Sequence, residues 1–96
     1  MKEYELFYKG VLIGLLSLNE NYVSYIANKN NINSCVDRDM ILSFLKEDMN
    51  FLHPFFEMRL ERMNKFSLDR ISFVNDYYEL VFIKKWLILI TFLLKK

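Results

Sequence analysis

The chain's single proline falls inside its most aromatic, helix-periodic run, Phe51-Leu52-His53-Pro54-Phe55-Phe56-Glu57-Met58-Arg59-Leu60-Glu61-Arg62-Met63, and that placement limits what the run can become. Proline is tolerated in a helix only near its start, where the first N–H groups have no intrahelical acceptor. Asn50 can act as a cap, so the expected helix starts at Phe51, holds Pro54 as its fourth residue and ends at Asn64-Lys65. Phe51 and Phe55, Leu52 and Phe56, and Phe56 and Leu60 are each four apart, which gives a wide apolar side with Phe55 and Phe56 as core anchors. Glu57, Arg59, Glu61 and Arg62 are left toward water or a partner.

A chain of 96 residues makes one small domain. Such a domain buries roughly 60–65 % of the surface its unfolded chain exposes. Hydrophobic residues at 53 % and aromatics at 17 % suffice for a core without disulfide or metal, and the surplus points to exposed apolar surface of the kind that marks interfaces. A net charge of +1 supplies no broad field for nucleic acid or an anionic membrane, so neither is expected as a partner. One cysteine, Cys35, excludes an internal disulfide and, with one histidine, a metal site. The run Val11 to Leu16 is too short for a secretory signal and lacks a cleavage site, so the expected compartment is the cytoplasm.

Ahead of the proline run, Tyr4–Tyr8, Val11–Leu18 and Tyr22–Ile26 read as strands separated by turns at Lys9-Gly10 and Asn19-Glu20-Asn21, a three-stranded meander. Gly14 interrupts the second strand and signals a bulge or a close backbone approach. Asn28–Ser34 reads as a loop. Met40, Ile41, Phe44 and Leu45 fit either a helix face behind an Asp37 cap or a strand, and periodicity does not choose between them. Beyond the proline run, Leu68, Ile71, Val74, Tyr78 and Val81 are spaced for a second helix capped by Ser67 or Asp69. The expected architecture is α+β, a small antiparallel sheet packed against two helices. Residues 86–96 form an apolar tail; its run Trp86–Leu94 is too short to cross a bilayer, which takes about 20 residues in a helix.

No catalytic constellation emerges. His53 and Glu57 share a helix side, but no serine, cysteine or second carboxylate completes a site. The glycines, Gly10 and Gly14, form no phosphate-binding loop. Arg59, Arg62 and Lys65 form a small basic edge, with Glu57 and Glu61 near enough in sequence to neutralise it. No enzyme activity, cofactor or metal is expected.

The order of these signals resembles the N-terminal subdomain of HipA-type serine/threonine kinase toxins, over roughly Tyr4 to Lys85. The likeness rests on Tyr4-x-Leu6-x-Tyr8-Lys9-Gly10-x-Leu12-Ile13-Gly14-x-Leu16, a tyrosine-bearing third strand, Ile41-Leu42-Ser43-Phe44, and His53-Pro54-Phe55-Phe56-x-x-Arg59-Leu60. The chain departs from the family at Glu61, where a proline is usual. After Phe82-Ile83-Lys84-Lys85-Trp86 it again departs, since 86–96 reads as a divergent or frameshifted end. The resemblance implies a strand at Met40–Phe44, a domain over residues 1–85, and a stand-alone, non-catalytic subunit that docks on and regulates a HipA-like kinase in a toxin–antitoxin system. The implied contact edge is Arg59, Arg62, Asn64 and Lys65. Two rival expectations are a non-functional remnant of a longer kinase gene and a small membrane-associated protein using the tail.

Overall fold

The computed structural model describes residues 1–84; the tail at 86–96, and Lys85 before it, lie outside the described residues. Five strands, β1 (Lys2–Tyr8), β2 (Val11–Leu18), β3 (Val23–Ala27), β4 (Arg70–Ser72) and β5 (Tyr78–Phe82), form one antiparallel sheet in the order β3-β2-β1-β5-β4. Helices α1 (Lys29–Asn33), α2 (Arg38–Phe44) and α3 (Pro54–Lys65) complete the α+β fold.

The meander forms as its residues dictate. Lys9 and Gly10 both take positive φ, 50° and 79°, the backbone of the tight turn that matches strand twist. Leu6 lies opposite Gly14 and Phe7 opposite Leu12, so Ile13 is the extra residue of a bulge and is fully buried. Gly14 is also a close-contact residue: a Cβ there would stand 2.8 Å from Leu45 Cδ1 and 3.0 Å from the Ile26 carbonyl oxygen. Its two expected roles, bulge and close approach, therefore coincide.

Three expectations are corrected. The asparagine-rich stretch contains the one-turn helix α1, because Asn28 accepts from the Asn31 N–H at 3.2 Å while the Asn31 amide donates to the Leu12 carbonyl at 2.8 Å. Met40–Phe44 is helical, not a strand. Ile41, Phe44 and Leu45 are all buried, and only helical spacing puts the three on one side; Met40 stays 53 % exposed.

The third correction concerns 67–81, which is a hairpin and not a helix. Ser67 takes φ 51°, its N–H and that of Leu68 bond back to the Asn64 and Met63 carbonyls at 3.4 and 2.8 Å, and this closure ends α3 and reverses the chain. Ile71, Tyr78 and Leu80 then face inward, whereas Leu68 and Val74, which the helical spacing counted as apolar face, are 41 % and 102 % exposed. The hairpin completes the sheet, and α2 with α3 supply the helical cover.

Tyr4, Leu6, Tyr8, Leu16, Tyr25 and Leu80 from the sheet meet Ile41, Phe44, Phe56 and Leu60 from the helices in a single buried core. Its polar tips are partly satisfied. The Tyr25 hydroxyl donates to the Phe51 carbonyl at 2.7 Å and accepts from the His53 N–H at 3.0 Å. The Tyr8 hydroxyl donates to Asp37 at 2.8 Å, whereas the buried Tyr78 hydroxyl has no hydrogen-bond partner among the described residues. No helix among the described residues is long and apolar enough to cross a membrane.

Two of these phenols link stability to pH. The hydrogen bond to Asp37, reinforced by burial, pushes Tyr8 up to about 12; burial first, and then the nearby Asp37, pushes Tyr78 up to about 12. An unfolded tyrosine ionises near pH ~10, so the folded state favours the neutral phenols. Their contribution is complete below pH ~10 and is lost as pH rises toward about 12. Thermal melts should therefore be flat up to pH ~9.5 and fall steeply above it. The Tyr8→Phe/Tyr78→Phe double variant should show a shallower fall; an equally steep one would assign the loss to other groups.

Candidate partner-docking edge

Helix α3 starts three residues later than the sequence suggests. His53 is its cap: Nδ1 accepts the Phe55 N–H at 3.1 Å, and Pro54 occupies the first helical position, where a missing N–H costs nothing. The histidine beside Glu57 thus has a structural task. Asn50, the expected cap, instead accepts the Val23 N–H at 2.6 Å on the outer edge of β3.

The buried side of α3 is Phe56, Arg59, Leu60 and Met63. Phe56 is fully buried, 5.4 Å from the ring of Tyr25 on β3 and 5.8 Å from that of Phe44 on α2. Phe55 is half-buried; it stacks on Phe44 with centroids 4.0 Å apart and meets Tyr78 of β5 edge-on at 5.1 Å. Both anchors hold the helix, Phe56 in the interior and Phe55 at its margin.

Arg59 belongs to the interior and not to a contact edge, since its side chain is 4 % exposed. Its Nη1 donates to the Phe55 carbonyl at 2.9 Å, Nη2 pairs with Asp76 Oδ2 at 2.5 Å, and the guanidinium lies 3.7 Å from the Phe55 ring centre and 4.9 Å from that of Phe73. Nε has no partner. Burial pulls the Arg59 pKa down, and Asp76 opposes that shift. Asp76 also accepts the Tyr78 N–H at 3.1 Å, so one carboxylate ties α3 to the start of β5. Sequence reading missed Asp76 as a site residue because nothing local marks it; the available signal was that a buried arginine requires a carboxylate.

The remaining edge residues divide. Arg62 and Lys65 are exposed and line, with Glu61 and Phe66, a shallow cleft of about 240 Å³. Asn64 lines a different cavity of about 310 Å³ with Lys2, Tyr4, Met63, Leu68 and Phe82. Arg62 stands 5.6 Å from the Phe73 ring centre and Lys65 5.4 Å from that of Phe66, which is itself 57 % exposed. Ion pairs among the described residues join Arg38–Asp39, Arg59–Asp76, Arg70–Glu79 and Lys84–Asp69; among them neither Glu57 nor Glu61 comes within ion-pair distance of Arg62 or Lys65, although Glu61 shares their cleft. Two cations beside exposed aromatic surface can hold a carboxylate or phosphate while a ring packs. Among the described residues no group of three or more histidine, cysteine or acidic side chains could hold a metal ion.

No family model, curated protein or solved structure matches the chain.

The two anchors should separate on mutation. Phe56→Ala should cost about 3–5 kcal/mol in urea unfolding, a large share of the stability of so small a domain. Phe55→Ala, at a half-buried position, should cost about half as much. Equal losses would mean that the two rings share one environment.

Proposed function

We propose that the chain is a non-catalytic, cytoplasmic protein-interaction domain that docks on and regulates a HipA-type serine/threonine kinase through the exposed end of α3. The observation that carries the docking reading is the Arg62–Lys65–Phe66 surface, where two cations that form no ion pair among the described residues lie beside a phenylalanine that is 57 % exposed. A rigid helix end with basic side chains and an aromatic anchor has the composition of an interface centre.

The partner class comes from the sequence resemblance. Its support is the order in which the hairpin with Gly14 and the helix opened by His53-Pro54-Phe55-Phe56 occur. The helical Met40–Phe44 segment is no part of that support, and of the residues the resemblance implied as contacts, Arg62 and Lys65 are the pair that share the exposed cleft.

Co-expression with a HipA-type kinase, followed by pull-down and a phosphorylation assay, tests the proposal. The wild-type chain should capture the kinase and alter its autophosphorylation, and the Arg62→Glu/Lys65→Glu variant should lose both effects with an unchanged melting temperature. A kinase neither captured nor affected by the wild-type chain contradicts it.

A further inference from the structure

The two edges of the sheet are finished differently. On β3 the outward N–H groups of Val23 and Ala27 are taken by Asn50 Oδ1 at 2.6 Å and Glu47 Oε1 at 3.1 Å, side chains of the segment between α2 and α3. The Tyr25 N–H between them also points outward, so two of the three outward N–H groups of that edge are covered and strand addition there is hindered. On β4 the Phe82 N–H donates to the Asp69 carbonyl at 2.8 Å, and the alternation of an antiparallel ladder then turns the main-chain N–H and C=O of Arg70 and Ser72 away from β5. Both residues are exposed, and among the described residues no side chain covers their N–H groups as Asn50 and Glu47 cover those of Val23 and Ala27.

This open edge adjoins the cationic end of α3. Arg62 stands over Phe73, the residue that follows β4, and among the described residues Arg70 pairs with Glu79 alone, at 3.7 Å, a contact that a closer carboxylate can replace. The outward main-chain groups of β4 therefore lie between Arg62, on the helix side of the sheet, and Arg70, on the opposite side. We propose that the β4 edge takes an extended acidic segment of the partner as a sixth strand, main-chain bonds being made to Arg70 and Ser72, with carboxylates on the helix side met by Arg62 and those on the opposite side by Arg70. The charge complementarity selects the acidic occupant. The shortness of β4, three residues, limits unselective pairing. This proposal rests on the docking reading and specifies its mode.

The probe is an acetylated, amidated octapeptide of the repeat Glu-Glu-Val-Val, which presents glutamates on both faces of a strand, compared with a form N-methylated at alternate residues and with a lysine–valine counterpart of the same pattern. Titrated into the full chain, the acidic peptide should shift the Arg70 and Ser72 amide resonances and bind on the order of tenfold more weakly when salt rises from about 50 to about 300 mM. Both counterparts should bind on the order of tenfold more weakly than the parent. Ser72→Pro, which removes an outward N–H at an edge where proline is accepted, should weaken binding by a similar factor, and Ser72→Ala should not. Undiminished binding of the N-methylated peptide, shifts confined to β3, or no binding at all would overturn strand addition. Failure here is separable from failure of docking: kinase capture that survives Ser72→Pro but is lost in Arg62→Glu/Lys65→Glu overturns the sixth strand alone, and a kinase never captured overturns the docking itself.

Discussion

The buried pairing of Arg59 with Asp76 is the constraint on which the geometry of the candidate site depends. A guanidinium 4 % exposed, faced by a carboxylate 30 % exposed, is costly to desolvate, and the cost is offset only when geometry is maintained. Here the Phe55 and Phe73 rings, the Phe55 carbonyl and Asp76 all meet the same group. Because Asp76 also accepts the Tyr78 N–H, helix α3 cannot shift along the sheet without breaking contacts at the start of β5. The exposed side of the helix, with Arg62 and Lys65, is thereby fixed relative to β4.

Much of the fold was legible where signals were local. The Lys9-Gly10 turn and the interruption at Gly14 follow from backbone chemistry and stand where the residues put them, and the proline falls in the first turn of a helix as expected, at its first position and not its fourth. The α+β class follows from the same signals. What was not legible depended on distant contacts. Met40–Leu45 supports both periods equally well, and the choice is made by Gly14 on β2, whose missing side chain leaves the space that Leu45 fills at the end of α2. A helix for 67–81 satisfied the apolar spacing; Ser67 at positive φ, a conformation unusual for serine, reversed the chain instead.

The site was legible in part for the same reason. Helical spacing identified Arg59, Arg62 and Lys65 as neighbours but could not separate the residue that turns inward from those that turn outward. Asp76, seventeen positions from Arg59, makes that separation. The result is a helix end whose interior salt bridge reaches the hairpin that local reading had drawn as helix, with the exposed cleft of Arg62 and Lys65 beside it.

The coupling between Arg59 and Asp76 tests the account most directly. A double-mutant cycle with Arg59→Met, Asp76→Asn and the pair, followed by urea unfolding, isolates their interaction from the loss of either side chain alone. The expected coupling is about 1.5–3 kcal/mol, with the loss of protection from hydrogen exchange concentrated at Tyr78 and the last turn of α3. A coupling below about 0.5 kcal/mol would show that the two residues contribute independently and that the helix is positioned by its phenylalanines alone.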